Sequence, residues 1–415
     1  MSPSEPDNFR LGVNYWPAAQ AMNWLPAYDP GLTGRDFERA KSVGLDTIRI
    51  FVRWEDAQPT PRAIDSAILA RLVDAADRAV EAGVTLLVTL FVGHMSGANW
   101  APSWALGGGD GDSRFRIVSG GRALPAAAGL RNWYADPEVV DAQERLAAAT
   151  AAALAGHPGV WGWDLGNENS NCTLPPDRSA GEAWLERMST AIRRRDPGRP
   201  VTIGLHMEDL ENDRLIGPAE AARFCDVVSM HGYPIYADWA AGPTDHELVV
   251  FLAEITRWLA SGAPVFFEEF GLPTAPAADQ TRGVLDERAA GVYTGRALDG
   301  LREAGCIGAF LWCFSDYVSE LAAVPPFDAA PHELGFGLWR ADGTPKAAVA
   351  QVAARAGAAR VPARSPGAWL DIDATTFDEN RRFHLARLYE RFRASDAGAR
   401  YHRSNGTEAV DERTG

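Results

Sequence analysis

Residues 159–168 read GVWGWDLGNE, and this stretch indicates the fold of the chain. Its apolar half, VWGW, gives way to small and polar residues and ends on the adjacent Asn167 and Glu168. Short apolar runs bounded by turn residues are typical of buried parallel strands. A carboxylate at the end of such a strand is typical of the active-site face of a (β/α)8 barrel, while a Glu in an exposed turn is the alternative interpretation.

A second segment has the same design and favours the barrel. Residues 264–271 read PVFFEEFG, so an apolar strand again ends in carboxylates, here Glu268 and Glu269. The strands of one barrel bring their carboxyl ends to a single face. We therefore expect the carboxylates of the two segments to meet in one site.

The rest of the chain alternates between apolar strands and helix-length segments, which is the (β/α)8 pattern. A doubly wound sheet is the runner-up, but no glycine-rich dinucleotide fingerprint follows the first strand. The barrel is predicted to occupy residues 1–356. The eight predicted strands are 11–15, 46–52, 84–92, 159–168, 201–205, 226–230, 265–269 and 306–313.

Composition narrows the class of protein. The 415 residues carry a formal net charge of −15, which argues against nucleic acid or an anionic membrane surface as a partner. The four cysteines are scattered without a C-x-x-C pair, so they are expected to be reduced thiols. The first ten residues, MSPSEPDNFR, lack the pattern of a signal peptide, and no apolar run of about 18 residues occurs. The sequence therefore predicts a cytoplasmic enzyme.

Two further regions stand apart from the alternating pattern. Residues 95–135 are predicted to be a long loop whose Trp100 and Trp104 wall the cleft. Its GGGDGD run at 107–112 is not a phosphate-binding loop, and a metal role for Asp110 and Asp112 is not favoured.

The C-terminal segment, residues 357–415, is predicted to be a linker, one amphipathic helix at 376–393 and a disordered tail of about 15 residues. The helix carries Leu385, Leu388 and Tyr389 on one face. We expect this face to pack outside the barrel or against another subunit, which would make a homo-oligomer.

The polar and aromatic residues in or directly after the predicted strands should converge on one site at the carboxyl ends of the strands. They are Trp16, Arg49 with Trp54, His94, Asn167 with Glu168, His206, His231 with Tyr233, Glu269, and Trp312. No combination matches a common metal set. The two His-Glu pairs of the chain, His246-Glu247 and His332-Glu333, both lack the second His of HExxH. No GxSxG turn anchors a serine nucleophile. We predict no metal and no cofactor.

Paired carboxylates among many indoles are typical of a site that binds and hydrolyses sugars. A pyranose ring offers an apolar face to an indole and a rim of hydroxyls to polar side chains. Glycoside hydrolysis needs one carboxylic acid at the leaving oxygen and a second carboxylate at the anomeric carbon. If Glu168 and Glu269 are this pair, a separation of about 5–5.5 Å predicts retention of configuration.

Six segments in order resemble glycoside hydrolase family 5 of clan A: IRIFVRW, the strand end at His94, WDLGNEN, MHGYP, FFEEFG and FLWCF. The resemblance covers roughly residues 9–355 and is strongest for the endo-β-mannanase and β-mannosidase branch, through GHMSGANW at 93–100. It implies a retaining β-glycosidase that acts on β-linked mannosides by double displacement. A β-glucosidase or β-1,4-glucanase of the same family is the alternative.

The resemblance also implies roles for single residues. Glu168 would be the acid/base and Glu269 the nucleophile. Asn167 would bind the 2-hydroxyl of the sugar, and Trp312 would form the floor of the subsite. Arg49 and Tyr233 would hold the nucleophile. The remaining predicted substrate-binding residues are His94, His231, Trp16 and Trp54.

Glu268 departs from many relatives, which carry a small residue there. It is expected either to face outward by strand alternation or to perturb the nucleophile. Two other classes stay open: a barrel that binds glycans without hydrolysing them, and a metal-dependent amidohydrolase. The absence of a signal peptide favours imported oligosaccharides and therefore exo action, but the sequence leaves endo action open.

Overall fold

The computed structural model describes residues 8–107, 114–274 and 285–395. The run at 108–113 with Asp110 and Asp112, and the predicted tail, lie outside the described residues. Eight strands form the barrel: β1 (Arg10–Asn14), β2 (Thr47–Arg53), β3 (Thr85–Val92), β4 (Val160–Asn167), β5 (Val201–Gly204), β6 (Val228–His231), β7 (Val265–Phe270) and β8 (Gly308–Leu311).

These strands are parallel and neighbour one another in the order β6, β7, β8, β1, β2, β3, β4, β5. The ring closes between β5 and β6, where the backbone N–H of His231 donates to the carbonyl of Leu205 at 2.8 Å. A parallel bridge between His206 and His231 continues this contact. The predicted (β/α)8 barrel is therefore confirmed, and each predicted strand overlaps an observed one.

Helices cover the outside of the barrel. They are α1 (Pro30–Ser42), α2 (Ser66–Ala82), α3 (Pro137–Ala153), α4 (Arg178–Arg193), α5 (Pro218–Phe224), α6 (His246–Leu259), α7 (Glu287–Glu303) and α8 (Ala347–Ala353), with one-turn helices at Trp54–Ala57 and Met207–Glu211. Their ends follow from local chemistry. The Asp65 carboxylate accepts from the first backbone N–H groups of α2, and Gly83 ends α2 in the left-handed conformation (φ 71°). None of the helices in the described ranges is long and apolar enough to cross a membrane.

The barrel interior has an apolar end and a polar end. Leu87, Phe266 and Phe310 fill the amino end, where the Phe266 and Phe310 rings meet edge to face at 4.4 Å. Gly12 makes room for this layer, since a Cβ there would stand 2.2 Å from the Phe310 ring. Arg49 lies above the layer and is fully buried. The polar groups of the site are thus confined to the carboxyl ends of the strands.

The segment after β3 is more regular than the sequence suggests. Instead of an irregular loop, it contains a four-stranded sheet of His94–Met95, Ala98–Trp100, Ile117–Ser119 and Arg122–Ala123. Strands of two or three residues are too short to show a periodic pattern, so the prediction of a plain loop was wrong. We call the described residues 93–107 and 114–136 the β3 segment.

The C-terminal extension forms two helices, α9 (Ala374–Glu379) and α10 (Arg381–Ala394), instead of the single predicted one. Asn380 separates them, because its backbone leaves the helical region (φ −156°, ψ 74°) and its side chain caps α10. The predicted apolar face is buried against the barrel of the same chain, where Tyr389 donates to Asp245 at 2.6 Å. That face is not free for a second subunit, which removes the basis of the predicted homo-oligomer.

Candidate active site

A cavity of about 710 Å³ opens at the carboxyl ends of the strands. Its walls come from β4, β6, β7 and the segments after β3, β5, β6 and β8. The polar and charged side chains that line it are His94, Ser96, Arg114, Asn167, Glu168, Asn171, His206, Glu208, Glu211, His231, Tyr233, Tyr236, Glu269, His332 and Glu333.

Glu168 and Glu269 face each other across this cavity. One oxygen of each carboxylate and one ring nitrogen of His231 all lie within 4.8 Å of one another. Carboxylates this close match the pair separation for retention, whereas a pair set for inversion stands roughly 6.5–9.5 Å apart to admit water. The two segments that indicated the barrel therefore bring their terminal carboxylates into one site.

Glu168 reaches the cavity from a strained backbone. It follows β4 in the left-handed conformation (φ 49°, ψ 47°), which is uncommon for a residue with a side chain. Asn171 donates to Oε2 at 2.9 Å, and Nδ1 of His231 lies 3.0 Å from Oε1. These two contacts fix both carboxylate oxygens.

The pKa of Glu168 depends on the histidines around it. Burial raises the pKa of Glu168, but three nearby histidines outweigh burial and hold it below its usual range. The pKa of His231 is raised to about 10: burial lowers it, but the charge of Glu269 and the hydrogen bonds with the adjacent glutamates prevail. Burial lowers the pKa of His94. Without substrate the proton of the pair Glu168 and His231 therefore resides on His231, whose Nδ1 lies 3.0 Å from Oε1 of the ionised Glu168.

Glu269 is held from both sides. Arg49 Nη1 donates to its Oε1 at 2.6 Å, and the Tyr233 hydroxyl donates to Oε2 at 2.8 Å. Burial raises the pKa of Glu269 and the charge of Glu168 adds to this, while His231, Arg49 and Tyr233 lower it. The two donors orient the carboxylate and keep its negative charge tolerable in a buried position.

Arg49 joins the carboxylates below the cavity. Its guanidinium contacts Asp164 at 2.7 Å, Glu268 at 3.2 Å and Glu269 at 2.6 Å. It also donates to the Asn167 side-chain oxygen at 2.9 Å. Because Arg49 is fully buried and does not line the cavity, it positions other groups instead of meeting a substrate, which corrects its place among the predicted substrate-binding residues.

Glu268 points inward as well. It is fully buried, 3.2 Å from Nε of Arg49, and its Oε2 lies 3.2 Å from Nε2 of His231. Simple alternation would have put Glu268 and Glu269 on opposite faces, but the register of β7 against β8 shifts between Phe267 and Phe270. This irregularity lets both glutamates contact Arg49, so the expectation of an outward Glu268 was wrong.

The indoles divide into one cavity residue and several core residues. Trp312 lines the cavity. Trp16 is fully buried, stacked on Phe51 at 4.8 Å, and Trp54 packs edge to face against Trp104 at 5.1 Å. Neither Trp16 nor Trp54 lines the cavity, so their prediction as substrate platforms was wrong: each follows a strand, but the chain turns it toward the core.

The β3 segment does contribute to the wall, but not through its indoles. Met95, Ser96, Arg114 and Phe115 line the cavity, while Trp100 lies under Arg53. Trp104 bonds the backbone of a neighbouring loop and packs in the core. The predicted role of the segment therefore falls to its smaller and charged residues.

Sequence reasoning missed several cavity residues. His206 was noted after β5 but given no role, although its Nδ1 lies 3.8 Å from Glu168. Glu333 accepts from the Ser96 hydroxyl at 3.1 Å and from the Tyr236 hydroxyl at 3.0 Å. It also accepts from the side chain of Trp312. For Glu333 and Tyr236 there was no signal, because both belong to irregular segments whose path the sequence pattern does not fix.

Several contacts link the segments that surround the cavity. Arg116 of the β3 segment donates to the carbonyl of Pro326 at 2.9 Å, which joins the β3 segment to the segment after β8. We call the three side-chain contacts between segments the contact ring: Arg114 with Glu208, Arg116 with Asp328, and Tyr236 with Glu333. These contacts link the segments after β5, β3, β8 and β6 in that order.

The site has two distinguishable ends. At the Trp312 end, Glu333 and Tyr236 line the part of the cavity near Glu269. The charge of Glu269 contributes to the raised pKa of Glu333. At the Glu211 end, the helix Met207–Glu211 begins at His206, next to Glu168. Glu168 thus faces one end and Glu269 the other.

The same atoms have the geometry of a metal site. Among the described residues, Glu168, His231 and Glu269 form a group that could hold a cation. However, the guanidinium of Arg49 already donates to Glu269, so a permanent positive charge occupies its side of the group. The donor set fits acid–base chemistry better, and the absence of a metal stays a prediction.

Comparisons with known proteins agree with this architecture. Residues 12–317 match the family model for cellulase (glycosyl hydrolase family 5). Mannan endo-1,4-beta-mannosidase 3 of Oryza sativa subsp. japonica is 24% identical over 266 residues, which are 57% of this chain and 54% of that protein. The chain thus spans about half the length of this curated relative.

Two solved structures are similar. A GH5_18 protein from Streptomyces cattleya in complex with Manb1-4GlcNAc has a TM-score of 0.77 at 23% identity, covering 94% of this chain and 92% of its own, and so shows the fold. The exo-beta-1,4-mannosidase from Opitutaceae bacterium strain TAV5 has a TM-score of 0.68 at 27% identity, covering 84% of this chain and 59% of its own.

Proposed function

The chain belongs to glycosyl hydrolase family 5, and from this premise we propose that it is a retaining exo-β-mannosidase. It removes single mannose residues from the non-reducing ends of β-linked oligosaccharides by double displacement. The observation that carries the proposal is the close approach of Glu168 and Glu269, within 4.8 Å, in the cavity at the carboxyl ends of the strands.

The geometry supports the following first step. A carboxylate oxygen of Glu269 attacks the anomeric carbon while Glu168 gives its proton to the departing glycosidic oxygen. The products are a glycosyl ester on Glu269 and the free leaving-group alcohol. Arg49 and Tyr233 hold Glu269 in line for the attack. His231 passes its proton to Glu168 as Glu168 protonates the departing oxygen, which leaves a neutral His231 and an ionised Glu168.

In the second step Glu168 acts as a base. It takes a proton from water, and the water oxygen attacks the anomeric carbon and displaces Glu269. Two inversions give net retention. We propose that Trp312 forms the floor beneath the sugar. Asn167, whose amide is fixed by Arg49 and by the His94 carbonyl at 3.0 Å, binds the 2-hydroxyl.

Mannose is favoured over glucose as the sugar. Two of the relatives above are named as mannosidases, and the Streptomyces cattleya protein was solved in complex with Manb1-4GlcNAc. The two sugars differ only in the 2-hydroxyl, which is axial in mannose. A β-glucosidase or β-1,4-glucanase remains the alternative within the family.

The contact ring supports the proposed exo action. Arg116 with Asp328 and Tyr236 with Glu333 join the segments around the Trp312 end, where the sugar bound to Glu269 must lie. We therefore expect this end to receive a chain terminus and not a continuing polymer.

Product analysis tests the proposal directly. With 4-nitrophenyl β-mannoside, proton NMR is expected to show β-mannose as the first product, and 4-nitrophenyl β-glucoside is expected to react far more slowly. With β-1,4-mannohexaose, mannose and mannopentaose are expected as the first products. Early release of mannotriose would overturn exo action, and α-mannose as the first product would overturn retention.

A metal-dependent hydrolase is the second candidate, because Glu168, His231 and Glu269 have metal-ligand geometry. Prolonged dialysis against a chelator separates the two candidates. The proposed glycosidase keeps its full rate on 4-nitrophenyl β-mannoside, whereas loss of activity and its recovery with a divalent cation would favour the metal enzyme.

Glu333 is expected to bind hydroxyls of the terminal sugar. Replacing Glu333 by Gln removes charge-assisted hydrogen bonds, so KM for 4-nitrophenyl β-mannoside is expected to rise about tenfold with a smaller change in kcat. Burial raises the pKa of Glu333 to about 7. The ionised form is the better acceptor, so wild-type KM should fall as pH rises through 7 while the variant shows no such change.

Glu320→Gln is the control, since Glu320 lies on the same segment after β8, exposed and away from the cavity. It is expected to keep both the KM and its pH dependence. A Glu333→Gln variant with wild-type KM between pH 5.5 and 8 would show that Glu333 only braces Tyr236 and Ser96.

A further inference from the structure

We propose that the C-terminal extension positions the part of the site that receives the leaving group. This inference rests on the proposed function, because it assigns the Glu211 end of the cavity to the sugar beyond the cleaved bond. The extension, helices α9 and α10, lies outside the residues 12–317 that match the family.

The geometry of catalysis identifies the Glu211 end. The sugar that becomes bound to Glu269 lies on the nucleophile's side, and the departing oxygen lies next to the acid, Glu168. His206 stands 3.8 Å from Glu168 and begins the helix Met207–Glu211. Glu208 and Glu211 of this helix line the cavity. The leaving sugar must therefore meet this helix.

The helix Met207–Glu211 is too short to be stable by itself. It has five residues, and its last carbonyl groups have no partner within the helix. Arg381 at the start of α10 supplies one. Its Nη1 donates to the carbonyl of Asp209 at 3.3 Å and to that of Asn212 at 3.2 Å. A cation at the carboxyl end of a helix is also favourable for the helix dipole.

Arg381 is itself fixed. Its side chain is 12% exposed, and its Nε donates to Asp378 of α9 at 3.0 Å. Next to it, Arg382 donates to Glu211 at 3.4 Å and to Asp238 at 2.7 Å. Both arginines thus connect α10 to residues of the cavity wall or directly beside it.

The extension is anchored firmly enough to serve as a support. Leu385 and Leu388 of α10 are fully buried, and Tyr389 of the same helix packs edge to face against Trp239 at 5.4 Å. The indole N–H of Trp239 donates to Oε1 of Glu211 at 2.7 Å. Glu211 is therefore held by one residue that packs on α10 and by one residue of α10 itself.

The test compares two substrates and two arginines. Arg381→Met is expected to raise KM for β-1,4-mannobiose about tenfold, because the leaving sugar loses an ordered wall, with kcat changed less than about twofold. The kinetic constants for 4-nitrophenyl β-mannoside should change less than about twofold, since a nitrophenyl group offers no hydroxyls to Glu208 and Glu211. Arg387→Met is the matched control: Arg387 lies on α10 but pairs with Asp371 of the extension at 2.7 Å.

A second comparison shows whether Arg381 acts through the wall. In a Glu211→Gln background, Arg381→Met is expected to add less than about twofold to KM for mannobiose, because the group that it positions is already altered. Thermal unfolding of all variants reports the stability change separately.

The outcomes separate the two levels of inference. If Arg381→Met and Arg387→Met have the same KM for mannobiose, or if Arg381→Met raises KM for both substrates alike, the positioning role is overturned while the proposed function stands. If the wild-type enzyme hydrolyses neither mannobiose nor the aryl mannoside, the proposed function itself fails.

Discussion

Glu269→Ala is expected to hydrolyse no β-mannoside, with kcat/KM reduced by a factor on the order of 10⁴ or more even for 2,4-dinitrophenyl β-mannoside. A good leaving group removes the need for an acid, but the covalent intermediate needs its nucleophile with every substrate. The adjacent Glu268 cannot replace the Glu269 carboxylate, because it is fully buried and does not line the cavity. Steady-state release of dinitrophenol measures the loss.

Glu168→Ala is the informative partner variant. Its activity on mannobiose should fall as far as that of Glu269→Ala, whereas it should still release dinitrophenol in a rapid first turnover. Added azide then separates the two roles by stereochemistry. Azide attacks the glycosyl ester of Glu168→Ala and gives the β-mannosyl azide, whereas it attacks the substrate directly in Glu269→Ala and gives the α-mannosyl azide.

The same experiment tests the choice between the adjacent glutamates. Glu268→Ala is expected to keep substantial activity and to give no mannosyl azide, because Glu269 remains in place. If Glu268→Ala formed the α-azide and Glu269→Ala did not, the nucleophile would be assigned one residue too late. Folding of each variant is checked by circular dichroism, since Glu268 contacts both Arg49 and His231.

The sequence predicts the barrel well because its signals are local. Each buried strand is a short apolar run, and each run ends where the polar cavity begins, as at Asn167 and Glu269. Parallel strands must then bring these ends to one face. The placement of His94, His231 and Tyr233 around the cavity follows from the same rule, without knowledge of any loop.

The rule fails where the backbone departs from ideal geometry. Trp16 and Trp54 follow strands just as His94 does, but the chain turns them into the core, where Trp16 stacks on Phe51. The shifted register between Phe267 and Phe270 turns both Glu268 and Glu269 toward Arg49. Such shifts depend on packing between strands that are distant in sequence, so no local pattern reveals them.

The same rule makes no prediction for the segments that connect the strands to the helices. Glu333 lies on the segment after β8 and meets Ser96 of the β3 segment, a contact between residues 237 positions apart. The support of Met207–Glu211 by Arg381 is likewise long-range. Contacts of this kind join segments that are distant in the sequence, so no local pattern in a single sequence reveals them.

Arg49 should matter for stability as well as for catalysis. Arg49→Met leaves Asp164, Glu268 and Glu269 buried without their shared cation, and removing one partner of a buried ion pair costs about 3–5 kcal/mol in the free energy of unfolding. Arg49→Lys is expected to recover only part of this loss, because an ammonium group does not reproduce the fork that reaches all three carboxylates. Urea unfolding at pH 7 measures both variants.

The pH dependence distinguishes the electrostatic role of Arg49 from a loss of packing. Arg49 lowers the pKa of Glu269, so in Arg49→Met that pKa rises and the acidic limb of kcat/KM shifts to higher pH. The carboxylates of the variant also become neutral at higher pH, so its stability deficit should shrink as pH falls from 8 to 5. Arg10→Met is the matched control, because Arg10 pairs with Asp46 and lies over Trp161 at the amino end of the barrel. It should lose stability without shifting the acidic limb. An Arg49→Met enzyme with the wild-type limb would mean that Arg49 holds the barrel together but leaves the charge of the nucleophile to His231 and Tyr233.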